Sequence, residues 1–353
     1  MKKIVLTGGG TLGHVSPNLA IIPLISGMFD EIHYIGSDNG PEKEKIENLK
    51  HDYKNLYYHS IPSTKLTRKS LIKNVALPFI LFKSIIKCRK LLKCISPNIV
   101  FSKGGYVSVP VAISAGKLGI PLVIHESDIS MGLANKIASK YATTICTTFP
   151  RLAEKFKNGV STGSPVSQSI VNANKSVAIN KYNLNQNLKT ITITGGSLGS
   201  TAINSAIEKF LPSLVKKYNI IHLTGKGKKI NFNHTNYHQE EFSDDIGSIF
   251  KASDLIISRA GSNTIFEIAT LKKPMILVPL SKKASRGDQI ENAEYFKNLG
   301  FAEIIYEENL NNLETVLERT IKDLHKYQFA LNKSNFKNGL QLLIKEILKA
   351  EKR

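Results

Sequence analysis

"KIVLTGGGTLGHVSPNLA" occupies Lys3–Ala20. The apolar run Ile4–Leu6 leads into Gly8, Gly10 and Gly13, spaced G-x-G-x-x-G, and a helix-compatible stretch follows. Strand, glycine turn and helix together let backbone N–H groups at a helix N-terminus approach an anion. Asp38, just past the next strand-like run "EIHYIGS", would complete a dinucleotide-binding unit. Glycines alone specify only close approach, so the motif accepts any phosphate and the rest of the chain has to decide.

The same grammar returns halfway along. "KTITITGGSLGS" (Lys189–Ser200) is again strand and glycine loop, with a helix expected from about Thr201 to Tyr218. Before it, "KIVLTG", "EIHYIGS", "NLYYHSI", "NIVFSKG", "PLVIHES" and "TTICTT" read as strands, with "PEKEKIENLK" and "MGLANKIASKYA" among the helical patterns between them. After it, "IIHLTGKG", "YHQEEF", "DLIISRAG" and "PMILVPL" read as strands. Such alternation implies parallel sheets covered on both faces. It stalls at "FKNGVSTGSPVSQSI", where Gly159, Gly163 and Pro165 mark a linker. The expected fold is α/β: two doubly wound Rossmann-like domains, 1–163 and 164–338, facing a central cleft at the carboxyl ends of both sheets. A basic amphipathic helix at 339–353 is expected to pack back on the first domain.

The chain has 353 residues, which suits two domains. Three cysteines, Cys88, Cys94 and Cys146, give neither a disulfide framework nor metal-ligand spacing and fit a reducing cytoplasm. "MKK" followed by three apolar residues is not expected to be a signal peptide, and no apolar run approaches a membrane span. The most apolar stretch, Val75–Phe82, is expected to be interrupted by Pro78. Formal charge is +20, and no acid lies between Asp52 and Glu126. Nine basic residues fall between Lys65 and Lys93: Lys65, Arg68, Lys69, Lys73, Lys83, Lys87, Arg89, Lys90 and Lys93. They alternate with Leu71, Ile72, Val75, Phe79, Ile80, Phe82 and Ile85. A one-signed surface of this kind attracts anions. With interleaved apolar residues it suits a peripheral, salt-sensitive patch on anionic phospholipid.

Three glycine-rich turns follow strands: Gly8–His14, Lys103–Ser108 and Gly195–Ser200. The most specific element is "ISRAGSNTIFEIATLKKPMILVPL" (Ile257–Leu280). Arg259 is expected to end a strand, Gly261–Asn263 to make the turn, and a helix to start at Thr264 with Glu267 in its first turn. A carboxylate there complements the helix dipole or accepts two hydrogen bonds from a ribose diol. "SRGDQIENA" puts Asp288 and Gln289 at the next helix start, where acceptor and amide suit sugar hydroxyls.

"GGGTLGHVSP", "SKGGYVSVP", "IHESD…GLANKIA", "GGSLGS", "SRAGSNTIFE" and "DQIENA" stand in an order and spacing that resembles the MurG family of bacterial N-acetylglucosaminyltransferases over nearly the whole chain. The resemblance implies the two-domain GT-B fold. It implies inverting transfer of GlcNAc from UDP-GlcNAc to the C4 hydroxyl of the muramoyl sugar of lipid I, a diphospho-undecaprenol, giving lipid II for peptidoglycan at the cytoplasmic membrane face. UDP-GlcNAc would meet Thr11, Leu12, Gly13, Ser197, Ser243, Arg259, Ser262, Asn263, Thr264, Glu267, Asp288 and Gln289. The acceptor diphosphate would lie on Gly8, Gly9, Gly10, Gly104, Gly105 and Tyr106, with Glu126 and Asn135 orienting the acceptor loops. Partners implied are the two substrates, an anionic phospholipid surface and other cell-wall and division proteins, with no nucleic acid. The sequence departs from the commonest family pattern at Leu12, which stands for a glycine, at Asp128 for an asparagine and at Ser167 for an arginine. A serine cannot supply an arginine's bidentate grip.

Inverting transfer needs a base for the acceptor hydroxyl and a partner for the departing UDP, through an oxocarbenium-like transition state. No D-x-D occurs in the chain, so no cofactor and no obligatory metal is expected. His14, beside a phosphate loop, is the first candidate base, and Asp128 competes with it. A dehydrogenase would leave "GGSLGS" and "SRAGSNTIFE" without a role. A nucleic-acid binder would want zinc spacing or RNP-like aromatics, which are missing. Another GT-B enzyme, such as a glycolipid synthase or a UDP-GlcNAc 2-epimerase, is the nearer rival.

Overall fold

The computed structural model describes residues 1–63, 77–282, 285–334, 336 and 338–352. The chain divides into two compact units, Met1–Ser167 with Asn338–Arg353, and Gln168–Lys337.

Among the described residues the first unit carries seven parallel strands: β1 Lys3–Thr7, β2 Glu31–Ser37, β3 Leu56–Ile61, β4 Ile99–Ser102, β5 Leu122–Glu126, β6 Thr144–Thr147 and β7 Gly159–Ser161. Their order is β3-β2-β1-β4-β5-β6-β7. Strands buried on both faces read as near-continuous apolar runs, as Ile4-Val5-Leu6 and Leu122-Val123-Ile124 do. Ile4, Leu6, Ile32 and Tyr34 point to one face, where Ile21, Ile25, Leu343 and Ile347 pack on them. Helix Leu12–Ile25 and the terminal helix Leu340–Glu351 supply that layer. Val5, Ile35 and Val100 point to the other face, covered by Cys88 and Leu92 of helix Leu77–Ile95 and by Val111 and Ala115 of helix Ser108–Lys117.

Among its described residues the second unit carries six parallel strands: β8 Lys189–Thr194, β9 Tyr218–Leu223, β10 Tyr237–Glu240, β11 Leu255–Ser258, β12 Met275–Leu277 and β13 Ala302–Ile304, in the order β10-β9-β8-β11-β12-β13. Ile191, Ile193, Ile257 and Ile276 meet Ile203, Ile207 and Leu211 of helix Thr201–Leu214 in one core.

Several boundaries differ from the sequence reading. The helix expected to reach Tyr218 stops at Leu214, because Tyr218 is already the buried first residue of β9. The expected linker holds β7, whose three residues pair with β6. Of the Val75–Phe82 stretch, Val75 and Ala76 lie outside the described residues, and Pro78 is the second described residue of helix Leu77–Ile95. Arg259 lies one residue beyond β11. Helix Ser262–Thr270 starts two residues before Thr264, which carries Glu267 out of the first turn. Among the described residues no helix is long and apolar enough to cross a membrane.

Candidate active site

In doubly wound sheets ligands sit beyond the carboxyl ends of the strands where the order reverses. In the first unit that switch point lies between β1 and β4, so the loops after them, Gly8–Thr11 and Lys103–Val107, are neighbours by topology. Gly10, Gly104 and Gly105 have φ of 83°, 95° and 84°, the left-handed region. The loops also touch. A Cβ on Gly105 would stand 2.3 Å from the Gly9 carbonyl oxygen and 3.1 Å from His14 Nδ1, and one on Gly10 would enter the Tyr106 ring. Gly105→Ala should therefore cost about 1–3 kcal/mol from backbone strain, plus the displacement of Gly9, read as a lower urea midpoint. Gly119→Ala, at φ 71° with no atom within 4 Å of its Cβ, is the control for strain alone.

His14 stands in the first turn of helix Leu12–Ile25, and its Nδ1 lies 2.9 Å from Thr11 Oγ1. Leu12 and Gly13 open the same helix. Tyr34 donates to the Gly8 carbonyl at 2.5 Å and accepts from Asn18 Nδ2 at 3.1 Å, which fixes the loop's root. Sequence reasoning missed Glu42. Its buried carboxylate accepts the Gly10 N–H at 3.2 Å and the Ser37 N–H at 2.8 Å. Gly10's N–H therefore already has a partner within the protein.

After β5 the Glu126 carboxylate accepts the N–H groups of Asp128 at 3.1 Å and Gly132 at 2.9 Å and the Asn135 amide at 3.0 Å. It thereby shapes the turn that carries Asp128. Asn135 Oδ1 is buried without a partner among the described residues and would lie 3.0 Å from a Gly104 Cβ. An unsatisfied buried acceptor beside a ligand loop suits a ligand donor or a water. His14, Gly104, Gly105, Tyr106, Glu126, Asp128 and Asn135 thus stand on three consecutive loops of one sheet end. Lys103, buried beneath them, was not among the predicted residues; its place as the last polar residue of "NIVFSK" was the available signal.

In the second unit the switch point lies between β8 and β11. The loop after β8 carries Gly196 and Gly199 at positive φ and exposes Ser197, before Ser200 caps helix Thr201–Leu214 through the Ile203 N–H at 3.3 Å. The loop after β11 carries Arg259, whose guanidinium reaches Ser200 Oγ at 2.6 Å, Glu307 at 2.6 Å and the Val278 carbonyl at 3.2 Å. Arg259 so ties the two loops together. Ser262, Asn263 and Thr264 form the first turn of helix Ser262–Thr270, which holds no acid in that turn. The Glu267 carboxylate is half-buried, with no hydrogen bond or ion pair among the described residues, and burial pushes it up to about 7. Asp288 begins helix Asp288–Asn298 and accepts the Arg286 N–H at 3.2 Å, while Gln289 turns its carbonyl oxygen to the Leu280 N–H at 3.1 Å. Ser243 lines a crevice of about 10 Å³ with Val177, Tyr182 and Asp245, and no other predicted donor residue lines it. Among the described residues no group of three or more His, Cys, Asp or Glu side chains is placed to hold a metal ion.

Residues 4–147 match the family model of the glycosyltransferase family 28 N-terminal domain, and residues 190–347 that of the family 28 C-terminal domain. A UDP-N-acetylglucosamine–N-acetylmuramyl-(pentapeptide) pyrophosphoryl-undecaprenol N-acetylglucosamine transferase of Clostridium botulinum is 45% identical over 359 residues, covering 99% of this chain and 98% of that protein. The Lachnospira eligens protein of the same name is 42% identical over 98% of each chain. The crystal structure of Acinetobacter baumannii MurG superposes with a TM-score of 0.75 at 25% identity, over 99% of this chain and 100% of that one.

Proposed function

The chain belongs to glycosyltransferase family 28, among the UDP-N-acetylglucosamine–N-acetylmuramyl-(pentapeptide) pyrophosphoryl-undecaprenol N-acetylglucosamine transferases, and from that premise we propose how its residues divide the work. Its fold is GT-B-like. It transfers GlcNAc from UDP-GlcNAc to the C4 hydroxyl of the muramoyl sugar of lipid I, with inversion, forming lipid II. The observation that carries the division is the doubling of one device. Each unit ends its switch point in a glycine loop beside a helix N-terminus, which suits one phosphorylated ligand on each.

The second unit takes the donor. Loop N–H groups, Ser197 and the first turn Ser262–Thr264 meet the diphosphate. Glu267, with no hydrogen bond or ion pair among the described residues, accepts the ribose hydroxyls. Asp288 and the free amide end of Gln289 meet the GlcNAc hydroxyls. Arg259 acts through Ser200 by holding the glycine loop, and Ser243 stays a proposed donor residue although its crevice is shared with no other of them. The first unit takes the acceptor diphosphate on its two glycine loops, under the Tyr106 ring. Thr11, Leu12 and Gly13 stay with the donor in this reading.

For chemistry, the acceptor oxygen attacks the anomeric carbon as the bond to UDP breaks. A base removes the hydroxyl proton, and aligned N–H dipoles receive the negative charge that develops on UDP. His14 is the first candidate base, its ring oriented by the 2.9 Å contact between Nδ1 and Thr11 Oγ1. Asp128 is the competing base. No cofactor or metal is required in this scheme. Transfer of radiolabelled GlcNAc to a lipid I analogue in EDTA tests it. Product formation is expected; conversion of UDP-GlcNAc without acceptor would favour an epimerase instead.

Helix Leu77–Ile95 supports attachment to the cytoplasmic face of the membrane. Ser84, Cys88, Leu92 and Ile95 face the core, while Phe79, Phe82 and Ile86 form an exposed stripe at i, i+3, i+7 beside exposed Lys83, Lys87, Arg89 and Lys90. Lys65, Arg68, Lys69, Leu71, Ile72, Lys73 and Val75 of the same basic stretch lie outside the described residues. Phe79 and Phe82 are 71% and 65% exposed. Replacing both with Ala should lower partition onto anionic vesicles by about tenfold or more, since burying one such ring is worth about 1.5–3 kcal/mol. The melting temperature should hold. High salt should weaken the wild type likewise.

A further inference from the structure

Lys103 is 2% exposed. Lysines are almost never so buried without a counter-charge. Its Nζ nevertheless bonds neutral groups: it donates to His125 Nδ1 at 2.9 Å and to the Ser127 hydroxyl. His125 Nε2 lies 3.0 Å from the Gly163 carbonyl, so that nitrogen carries the proton and Nδ1 accepts. Burial first, then the Lys103 charge, holds this imidazole well below its usual range, hence neutral. Burial also pulls the Lys103 ammonium down to about 8, against the fields of Glu126 and then Asp128 that hold it up. The Lys103 stem backs the other glycine loop, because a Cβ on Gly8 would stand 3.1 Å from Lys103 Cβ. One ammonium thus sits behind the loops that follow β1, β4 and β5.

Those loops also carry two carboxylates, Glu126 and Asp128. A diphosphate arriving there meets like charge that solvent screens poorly. We propose that Lys103 is a positioning residue of the acceptor site: its buried ammonium offsets Glu126 and Asp128 and so keeps the Gly8–Gly10 and Gly104–Gly105 loops receptive to a lipid-linked diphosphate. Lys103 acts through the field and through the turn at Ser127, without touching the ligand. The inference rests on the reading that the first unit binds lipid I.

The test is binding of a labelled short-chain lipid I analogue without donor, with UDP binding in parallel. Lys103→Met keeps the stem and removes the charge. The analogue's Kd should rise by about tenfold or more, with the UDP Kd unchanged. Adding Asp128→Asn removes one repelling charge and should recover most of that loss. An unchanged analogue Kd in Lys103→Met, an equal loss of UDP binding, or a double variant no better than the single one would each overturn the inference. A wild-type measurement covers the case in which Lys103→Met does not fold. The groups facing the ammonium are His125, Glu126 and Asp128, and His125 is neutral throughout. As pH rises through about 8, Lys103 loses its proton, so analogue binding should weaken while UDP binding stays level; a flat analogue profile overturns the inference. Wild-type protein that binds UDP but never the analogue would instead overturn the acceptor reading, and this inference with it. Analogue binding by Lys103→Met equal to the wild type would sink this inference alone.

Discussion

His14→Ala should lower kcat for GlcNAc transfer by about 10²–10⁴-fold, the usual worth of a positioned general base, while the Kd for UDP stays close to that of the wild type. The ring stands at the seam of both glycine loops of the first unit, 2.9 Å from Thr11 Oγ1 and against Gly105. The rate against pH separates it from its rival. An imidazole base gives an acid limb at higher pH than a carboxylate base does. Loss of that upper limb in His14→Ala, with substantial turnover kept by Asp128→Asn, assigns the proton to His14. Near-normal turnover in His14→Ala, with collapse in Asp128→Asn, assigns it to Asp128. Thr11→Val gives a third reading. It removes the hydroxyl that holds Nδ1, so it should slow transfer by less than His14→Ala while leaving the acid limb in place.

The loops that hold these residues were legible because two patterns coincide in them. An apolar run ending in glycines marks a parallel strand and the turn beyond it, and the chain repeats that unit at Lys3–Thr7 and Lys189–Thr194. Short edge elements were not legible. β7 and β13 have three residues each, too few for periodicity, and β7 lies in glycine-rich sequence that reads equally well as linker. The start of helix Ser262–Thr270 was misjudged because Ser and Asn favour caps and turns, yet here Gly261 takes the cap and Ser262 is already helical. Glu42 and Lys103 were missed for a deeper reason. Each looks like ordinary surface charge: Glu42 sits in a Glu- and Lys-rich helix opening, and Lys103 at a strand end. Only tertiary packing turns Glu42 onto Gly10 and seals Lys103 behind His125.

Glu267→Ala should raise KM for UDP-GlcNAc by about ten- to a hundredfold, as expected when a carboxylate loses hydrogen bonds worth about 1.5–3 kcal/mol, and UDP alone should weaken in parallel. The reason is the state of the group before the ligand arrives. Burial lifts its carboxyl from 4.5 to about 7, and among the described residues no donor holds the anion. The sign for stability follows. Between about 4.5 and 7 the unfolded chain ionises this group while the folded chain keeps its proton, so the stability it contributes falls as pH rises across that window. Ligand binding runs the other way. A ribose diol donates to the anion, so UDP affinity should climb as pH rises toward 7 and level off above it. Near pH 6 binding should also release a proton, visible by calorimetry as a heat that depends on the buffer's ionisation enthalpy. Glu267→Gln should bind UDP more weakly at neutral pH, with no pH slope from this group and no buffer dependence. A buffer-independent heat in the wild type would mean that the diol does not meet this carboxylate. Glu267 would then be a half-buried acid at rest in helix Ser262–Thr270, and the donor contacts would fall to the turn Ser262–Thr264 and to Asp288 and Gln289.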